Sequence, residues 1–196
     1  MPAQLRGDQL FVDRLGDLRS WLKDNHARTA GVWLVTWKKH AGVRHIPWSD
    51  VVDELLCFGW VDSTPRKLDA DRSQLRIAPR NPKSAWSGIN KSKVERLLRS
   101  GRMTEAGQRL VDAAKANGAW DFLNDVETLT IPDDLAAALG RHAGATQNFE
   151  GFPPSVRRGV LEWIKQAKRA DTRARRIAET AEKAARGERA NAFRRR

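Results

Sequence analysis

The segment GVWLVTWKK, residues Gly31 to Lys39, is the most strand-like stretch of the chain. β-Branched and aromatic side chains fill both alternations before charge begins, which predicts a strand covered on both faces. Upstream, Leu10 to Val12 reads as a short strand. Asp13 then reads as the cap of a helix whose Leu15, Leu18 and Leu22 recur at three- and four-residue spacing, with Trp21 widening the face. Downstream, His40 to Pro47 is a polar loop, Ser49 caps a helix that buries Val52, Leu55 and Leu56, and Gly59 takes the left-handed position at its end. Val61 to Leu68 and Ser73 to Ala78 flank Asp69-Ala70-Asp71 as a hairpin. Pro65 has no amide hydrogen to give to a ladder, so its strand stands at an edge or a bulge.

Beyond the hairpin the pattern turns helical. Ser92 with Glu95 forms a capping box ahead of Leu97 and Leu98, Gly101 ends that segment, and Thr104 opens one that runs to Gly118. Pro132, Asp133 and Asp134 mark the first turn of a helix ending near Gly140. Pro154 opens an amphipathic helix carrying Val156, Val160, Trp163, Ile164 and Ala167, and Asp171 or Thr172 starts the final basic helix. The expected fold class is α+β: a small mixed or antiparallel sheet with helices, followed by an all-helical C-terminal module. The expected division is an α+β domain over residues 1–102, a helical module over 103–186 and a flexible basic tail over 187–196.

The 196 residues, of which 40% are hydrophobic, suffice for one good core or two small ones. No apolar run approaches the roughly 20 residues that cross a bilayer, and the first residues mix acids and bases without a cleavable apolar segment, so a cytoplasmic location is expected. Cys57 is the single cysteine, which excludes an internal disulfide and a multi-thiolate zinc site. His26, His40, His45 and His142 match no ligand spacing. No metal and no cofactor are expected.

The net charge of +12 is unevenly placed. Residues 1–65 balance eight Lys and Arg against eight Asp and Glu, while residues 66–102 carry eleven against three. Residues 103–164 carry five against nine, and residues 165–196 twelve against four. Nonspecific binding to nucleic acid is a natural property of two such basic blocks. The terminal block reads as a solvated helix with a frayed end rather than a dedicated arm. An aromatic platform needs exposed rings interleaved with cations. Of Trp33, Trp37 and Trp48, only Trp37-Lys38-Lys39 has that pattern, so core packing is expected for these rings.

Chemistry concentrates between Cys57 and Lys91, CFGWVDSTPRKLDADRSQLRIAPRNPKSAWSGINK. Trp60 and Trp86 supply flat apolar walls, Arg80, Lys83 and Lys91 supply charge, and Ser84, Ser87 and Asn90 supply hydrogen bonds. Pro79 and Pro82 stiffen the backbone around Arg80, which suits a guanidinium presented to a carboxylate or phosphate. The ligand-binding set expected from this segment is Trp60, Asp62, Arg80, Lys83, Ser84, Trp86, Asn90 and Lys91. Asp62 is a general base, a partner of Arg80 or a strand-end cap, and Cys57 reads as a small buried hydrophobe with no catalytic base beside it.

Several segments taken together resemble the YdeI/OmpD-associated, or bacteriocin-protection, family of bacterial proteins. They are VWLVTWKK, ELLCFGWVDS from Glu54 to Ser63, PRNPKSAWSGIN from Pro79 to Asn90, LLRSGRMTEAG from Leu97 to Gly107, IPDDLAAAL, and Phe152 to Ile177. The resemblance implies a front domain similar to the YjbR/CyaY-like class, a helical module behind it, a bacterial cytoplasmic setting, and an association with stress and protection from antimicrobial peptides. It implies no reaction and no catalytic residues. Ser63 stands where the family often has glycine, and Ala78 where it often has a small hydroxyl residue.

Three functions remain open at this level. The first is a protective protein that holds a small anionic or peptide ligand through Trp60 to Lys91. The second is a nucleic-acid-binding protein using the basic blocks at 66–102 and 165–196. The third is an enzyme with Asp62 as acid or base, although no phosphate loop, dinucleotide motif or triad is present.

Overall fold

The computed structural model describes residues 3–190, with Val43 described by its backbone alone. The chain divides into two compact units, the first ending at Phe122 and the second beginning at Leu123. Residues 191–196 of the expected basic tail lie outside the described residues. The architecture is α+β, as the sequence pattern predicts.

In the first unit five strands, β1 (Gln4–Arg6), β2 (Gln9–Phe11), β3 (Val32–Trp37), β4 (Trp60–Lys67) and β5 (Arg72–Pro79), form a sheet in the order β1-β2-β3-β5-β4. β2 and β3 run parallel, which requires a crossover, and α1 (Leu15–Asn25) supplies it; the other neighbours are antiparallel. Helices α2 (Trp48–Cys57), α3 (Gly88–Arg99) and α4 (Glu105–Ala116) complete the unit. Leu10, Val32, Leu34, Leu75, Ile77 and Trp60 join one buried cluster with Leu18, Trp21 and Leu22 of α1 and Val51, Val52, Leu55, Leu56 and Cys57 of α2. Alternation along the strands therefore sends Phe11, Trp33 and Trp37 to the opposite face.

The cover expected on both faces of β3 is found only at Val35, which is buried on the outer side between Phe11 and Gln74. Trp33 and Trp37 flank it half-buried, outside the helix-covered core. The hairpin matches the sequence reading closely. β4 is an edge strand, as is β1 on the other side, and the β4 register against β5 shifts between Asp62 and Pro65. Ser63, where glycine is common in the resembled family, sits in this bulge and donates to the Arg76 carbonyl at 3.3 Å.

Helix starts account for most departures from expectation. Asp13 does not cap α1; Arg14 is at the cap, and the Asp13 carboxylate accepts from Trp37 Nε1 at 2.7 Å. Ser49 lies inside the first turn of α2 after Pro47 and accepts from Lys93 Nζ at 2.8 Å. Ser87, not Ser92, caps α3. Its hydroxyl takes the Asn90 amide, and this fixes the start ahead of the capping-box pattern. Thr104 caps α4 as expected. That helix belongs to the first unit, with Val111 and Ala114 in its core.

α2 is the axis of the unit. Val51 through Phe58 are all buried, including Asp53 at 3% and Glu54 at 2% exposure. Two buried carboxylates are tolerable only when paired. Asp53 accepts from Lys93 Nζ at 2.7 Å and Arg96 at 2.5 Å, both on α3. Glu54 accepts from Arg19 of α1 at 2.7 Å and from Arg102, between α3 and α4, at 2.5 Å. Burial pushes the Asp53 carboxyl up, but the hydrogen bonds from Lys93 and Arg96 outweigh it and hold the pKa below its ordinary value. Close packing seals the other end. A Cβ on Gly107 of α4 would fall inside the Cys57 carbonyl and 2.6 Å from that of Leu56, while Thr104 Oγ1 donates to the Cys57 carbonyl at 2.5 Å.

The second unit is helical. It contains α5 (Asn124–Glu127), α6 (Asp133–Gly140), α7 (Ala145–Gly151), α8 (Pro154–Lys165) and α9 (Ala170–Ala185). Leu135, Leu139, Phe149, Val160, Leu161 and Ile164 are buried here, with α9 contributing Ile177, Ala181 and Ala184. α9 starts at Ala170 after Arg169, one residue ahead of Asp171. No described helix is long and apolar enough to cross a membrane.

The ion pairs of α2 make a direct test. Arg19→Ala combined with Arg102→Ala leaves Glu54 buried without a cation, and urea unfolding is expected to show a loss of about 3–5 kcal/mol. Adding Glu54→Leu should recover most of that loss. A triple variant no more stable than the double would show that the cations, rather than their pairing with Glu54, hold the helices. The sign for Asp53 is the usual one for a depressed carboxyl. Its contribution is complete above the unfolded value of roughly 4 and is lost as pH falls through the lower folded value.

Candidate functional site

The residues expected to form a pocket between Trp60 and Lys91 divide into three groups. Trp60 is core: it is fully buried, donates from Nε1 to the His26 carbonyl at 3.1 Å and meets Trp21 edge-on at 5.6 Å. Lys83 and Ser84 are exposed on a turn in which the Asn81 side chain accepts the Lys83 amide at 2.9 Å. Asp62, Arg80, Trp86, Asn90 and Lys91 are the group for which neighbouring chemistry matters.

Arg80 is only 7% exposed. The Gly59 carbonyl anchors its amide at 2.9 Å, its guanidinium lies 4.1 Å above the Trp86 ring, and NH2 donates to the Ala85 carbonyl at 2.6 Å. Arg80 Nε and Trp86 Nε1 are buried donors without a partner among the described residues. Burial lowers the Arg80 pKa against the pull of Asp62, and burial raises that of half-buried Asp62 against its backbone hydrogen bond and the pull of Arg80. Desolvation thus exceeds their mutual attraction on both sides. The row continues from Trp86 to Trp120, 5.1 Å away, and Lys91 and Lys115 lie 5.4 and 5.3 Å from the Trp120 ring. Asn90 gives its backbone amide to Ser87 within the start of α3. Trp120 and Lys115 carry no signal in the sequence. They arrive because the end of α4 packs by the 81–84 turn, where Asn117 donates to the Pro82 carbonyl at 3.0 Å.

Cys57 is fully buried, and burial followed by the charge of Glu54 pushes its thiol up, away from the thiolate a nucleophile needs. Among the described residues no group of three or more His, Cys, Asp and Glu is placed to hold a metal ion.

A second constellation stands on the outer face of the sheet. Register places Trp33 beside Arg76, Val35 beside Gln74 and Trp37 beside Arg72 on β3 and β5, with Phe11 beside Val35 on β2. Arginines overlie each ring. Arg66 is 4.2 Å and Arg76 5.8 Å from Trp33; Arg44 is 4.8 Å and Arg72 5.7 Å from Trp37; Arg6 is 5.4 Å from Phe11. The expectation of core packing for Trp33 and Trp37 is therefore corrected, and Trp48 is 48% exposed at the start of α2. Cross-strand pairing interleaves the rings with cations, whereas the linear sequence shows only Trp37-Lys38-Lys39. The alternation of Arg72, Gln74 and Arg76 opposite Trp33, Val35 and Trp37 was the available signal.

The basic block at 66–102 is thereby partitioned. Lys93, Arg96 and Arg102 bind the α2 carboxylates, while Arg66, Arg72 and Arg76 stand on the sheet. In the terminal block, Arg169, Arg173 and Lys183 pair with Asp171, Asp134 and Glu179, and Arg176 donates to the Trp163 carbonyl and lies 4.9 Å above that ring.

These features define a two-unit α+β protein whose first unit presents an arginine-laced aromatic sheet face. The chain belongs to the family described as Domain of unknown function (DUF8412), whose model matches residues 10–110, just over half of the chain. Residues 128–187 match the model described as Bacteriocin-protection, YdeI or OmpD-Associated, the family that the sequence segments resemble. The match to that family lies in the second unit, while the front part falls under the domain of unknown function. No curated protein and no solved structure matches the chain.

The raised Asp62 carboxyl gives a signed expectation. Its ionisation costs folded-state stability as pH rises above the unfolded value of roughly 4. Asp62→Asn should raise the melting temperature at neutral pH, and the gain should disappear once the wild-type carboxyl is protonated. A neutral-pH melting temperature lowered by the substitution would show instead that attraction to Arg80 dominates.

Proposed function

We propose that this protein binds single-stranded nucleic acid across the outer face of its sheet. The observation that carries this reading is the interleaving of Phe11, Trp33 and Trp37 with Arg6, Arg44, Arg66, Arg72 and Arg76 on one surface. Bases stack on aromatic planes whatever their sequence, and the guanidinium groups that overlie the rings swing aside to meet the phosphates. A five-stranded face is too broad for a duplex groove, which admits a helix or a two-stranded ribbon. Unpaired bases can lie flat on it, as they do on the sheets of RNA-recognition domains.

The face also offers a preformed geometry. Trp33 and Trp37 lie four residues apart on one strand, roughly 13 Å, with Phe11 beside the midpoint on the next strand. Asp13 fixes the Trp37 indole and Asp69 holds Arg72 at 2.7 Å, so two members of the platform are oriented before any ligand arrives. The proposed setting is the bacterial cytoplasm, in the protective role that the second unit's family description names. The Trp60 to Lys91 segment offers less surface to a small ligand, because Trp60, Trp86 and Arg80 are buried.

Fluorescence anisotropy with labelled oligo(dT), oligo(rU) and a duplex of equal length tests the reading. Single strands are expected to bind more tightly than duplex and to quench tryptophan emission. Trp33→Ala should cost about 1–3 kcal/mol of binding without a matching change in melting temperature. Removing Arg66 and Arg76 should reduce the dependence of log K on log salt by about 0.7 for each phosphate that is no longer neutralised. Equal affinity for duplex and single strand that ignores Trp33→Ala, or binding that vanishes when residues 187–196 are deleted, would refute it.

A further inference from the structure

We propose that the groove between α1 and the start of α4 is a second binding site, for a small organic anion with a flat apolar body, such as an aromatic carboxylate or sulfonate. This groove lies on the helical side of the first unit and shares no residue with the aromatic sheet face. Its volume is about 560 Å³, within the range of small-molecule sites.

Phe58, just past α2 and only 6% exposed, lies at the bottom, and one wall is a single face of α1, where Gly16, Arg19, Ser20 and Lys23 follow one another at helical spacing. The guanidinium of Arg19 lies 5.4 Å from the Phe58 ring. From behind, Glu54 holds it at 2.7 Å and the Arg102 carbonyl at 3.0 Å. Glu54 is shared with Arg102, so one buried carboxylate faces two guanidinium groups and the cluster keeps a net positive charge. A planar cation held this way can take a carboxylate or sulfonate through the N–H groups that Glu54 and the Arg102 carbonyl leave unused, while the body of the ligand lies along the groove. Lys23 adds a second cation at the rim. Across the groove, Arg109 is paired with Glu105 at 2.5 Å and adds no net charge.

Gly16 is the second indication. Glycine inside a helix is destabilising relative to alanine, and nothing in the backbone requires one here. A Cβ at this position would meet nothing within 4 Å. The missing side chain relieves no clash; it leaves open the groove that Ser20 and Ala106, also short, line with it. Arg19 and Lys23 supply the charge that recognises the anion, and the low walls supply the access.

Titration of the full chain with anilinonaphthalene sulfonate, followed by fluorescence, tests the proposal, with the uncharged analogue N-phenylnaphthylamine alongside. Saturable one-to-one binding of the sulfonate is expected, about tenfold or more tighter than the neutral analogue. Gly16→Leu fills the groove and should weaken sulfonate binding by about tenfold or more at an equal or higher melting temperature. Lys23→Glu should weaken the sulfonate and leave the neutral analogue unchanged. Should Gly16→Leu lower the melting temperature, Ser20→Leu makes the same test from the next turn. The proposal is overturned if the wild type shows no saturable binding, if both filled variants bind as the wild type does, or if the neutral analogue binds equally well. In that last case the groove is an apolar patch without anion selectivity.

Discussion

Two adjacent carboxylates on a helix buried along nearly its whole length impose the arrangement of the first unit. Asp53 and Glu54 cannot enter the interior of α2 uncompensated, so four cations must be delivered to them from outside that helix. Lys93 and Arg96 bring α3, Arg19 brings α1, and Arg102 brings the link into α4. Apolar packing alone would permit these helices to slide or rotate on α2. The ion pairs select one registry, and Gly107 against the end of α2 locks the last neighbour in place. The sheet lies on the helix layer so assembled, with Trp60, Leu34 and Ile77 in the shared core.

That arrangement explains why composition gives an incomplete account of charge. A run of eleven basic residues between 66 and 102 suggests a single positive surface. The fold separates it: the part on α3 and beyond neutralises buried acids, and the part on β4 and β5 remains outside. Lys83 and Arg99 are also exposed, but the cations gathered beside aromatic rings on one surface are those of the second part. In the terminal block the same separation occurs locally, through pairs made by Arg169, Arg173 and Lys183.

Legibility in the sequence followed the range of the interactions. The β3 strand, the hairpin with Pro65 at a bulge, the left-handed Gly59 and the Thr104 cap were all readable, because each depends on residues close in the chain. The caps expected from Asp13, Ser49 and Ser92 were misread because those side chains find other roles: Asp13 and Ser49 meet Trp37 and Lys93, and Ser92 lies in an α3 already begun at Ser87. β1, α5 and α7 were missed; they are short, and β1 is wholly exposed, so no apolar periodicity marks it. In the site, the stiffness around Arg80 was legible but its burial was not. The outer face of the sheet stayed hidden because it depends on which strands become neighbours, and β3, ending at Trp37, pairs with β5, which begins only at Arg72.

The shifted register of β4 bears on how this surface meets other molecules. A regular edge strand invites another chain to add itself by hydrogen bonding, the first step of β-aggregation. Here Pro65 removes a donor, the bulge twists the ladder, and exposed Arg66 and Lys67 repel a second copy of the same edge. The protein can therefore display half-open tryptophans beside a sheet margin and remain protected from self-association along it. At this margin contact comes through side chains laid on top of the sheet, and the β4 backbone is ill suited to a visitor arriving from that side.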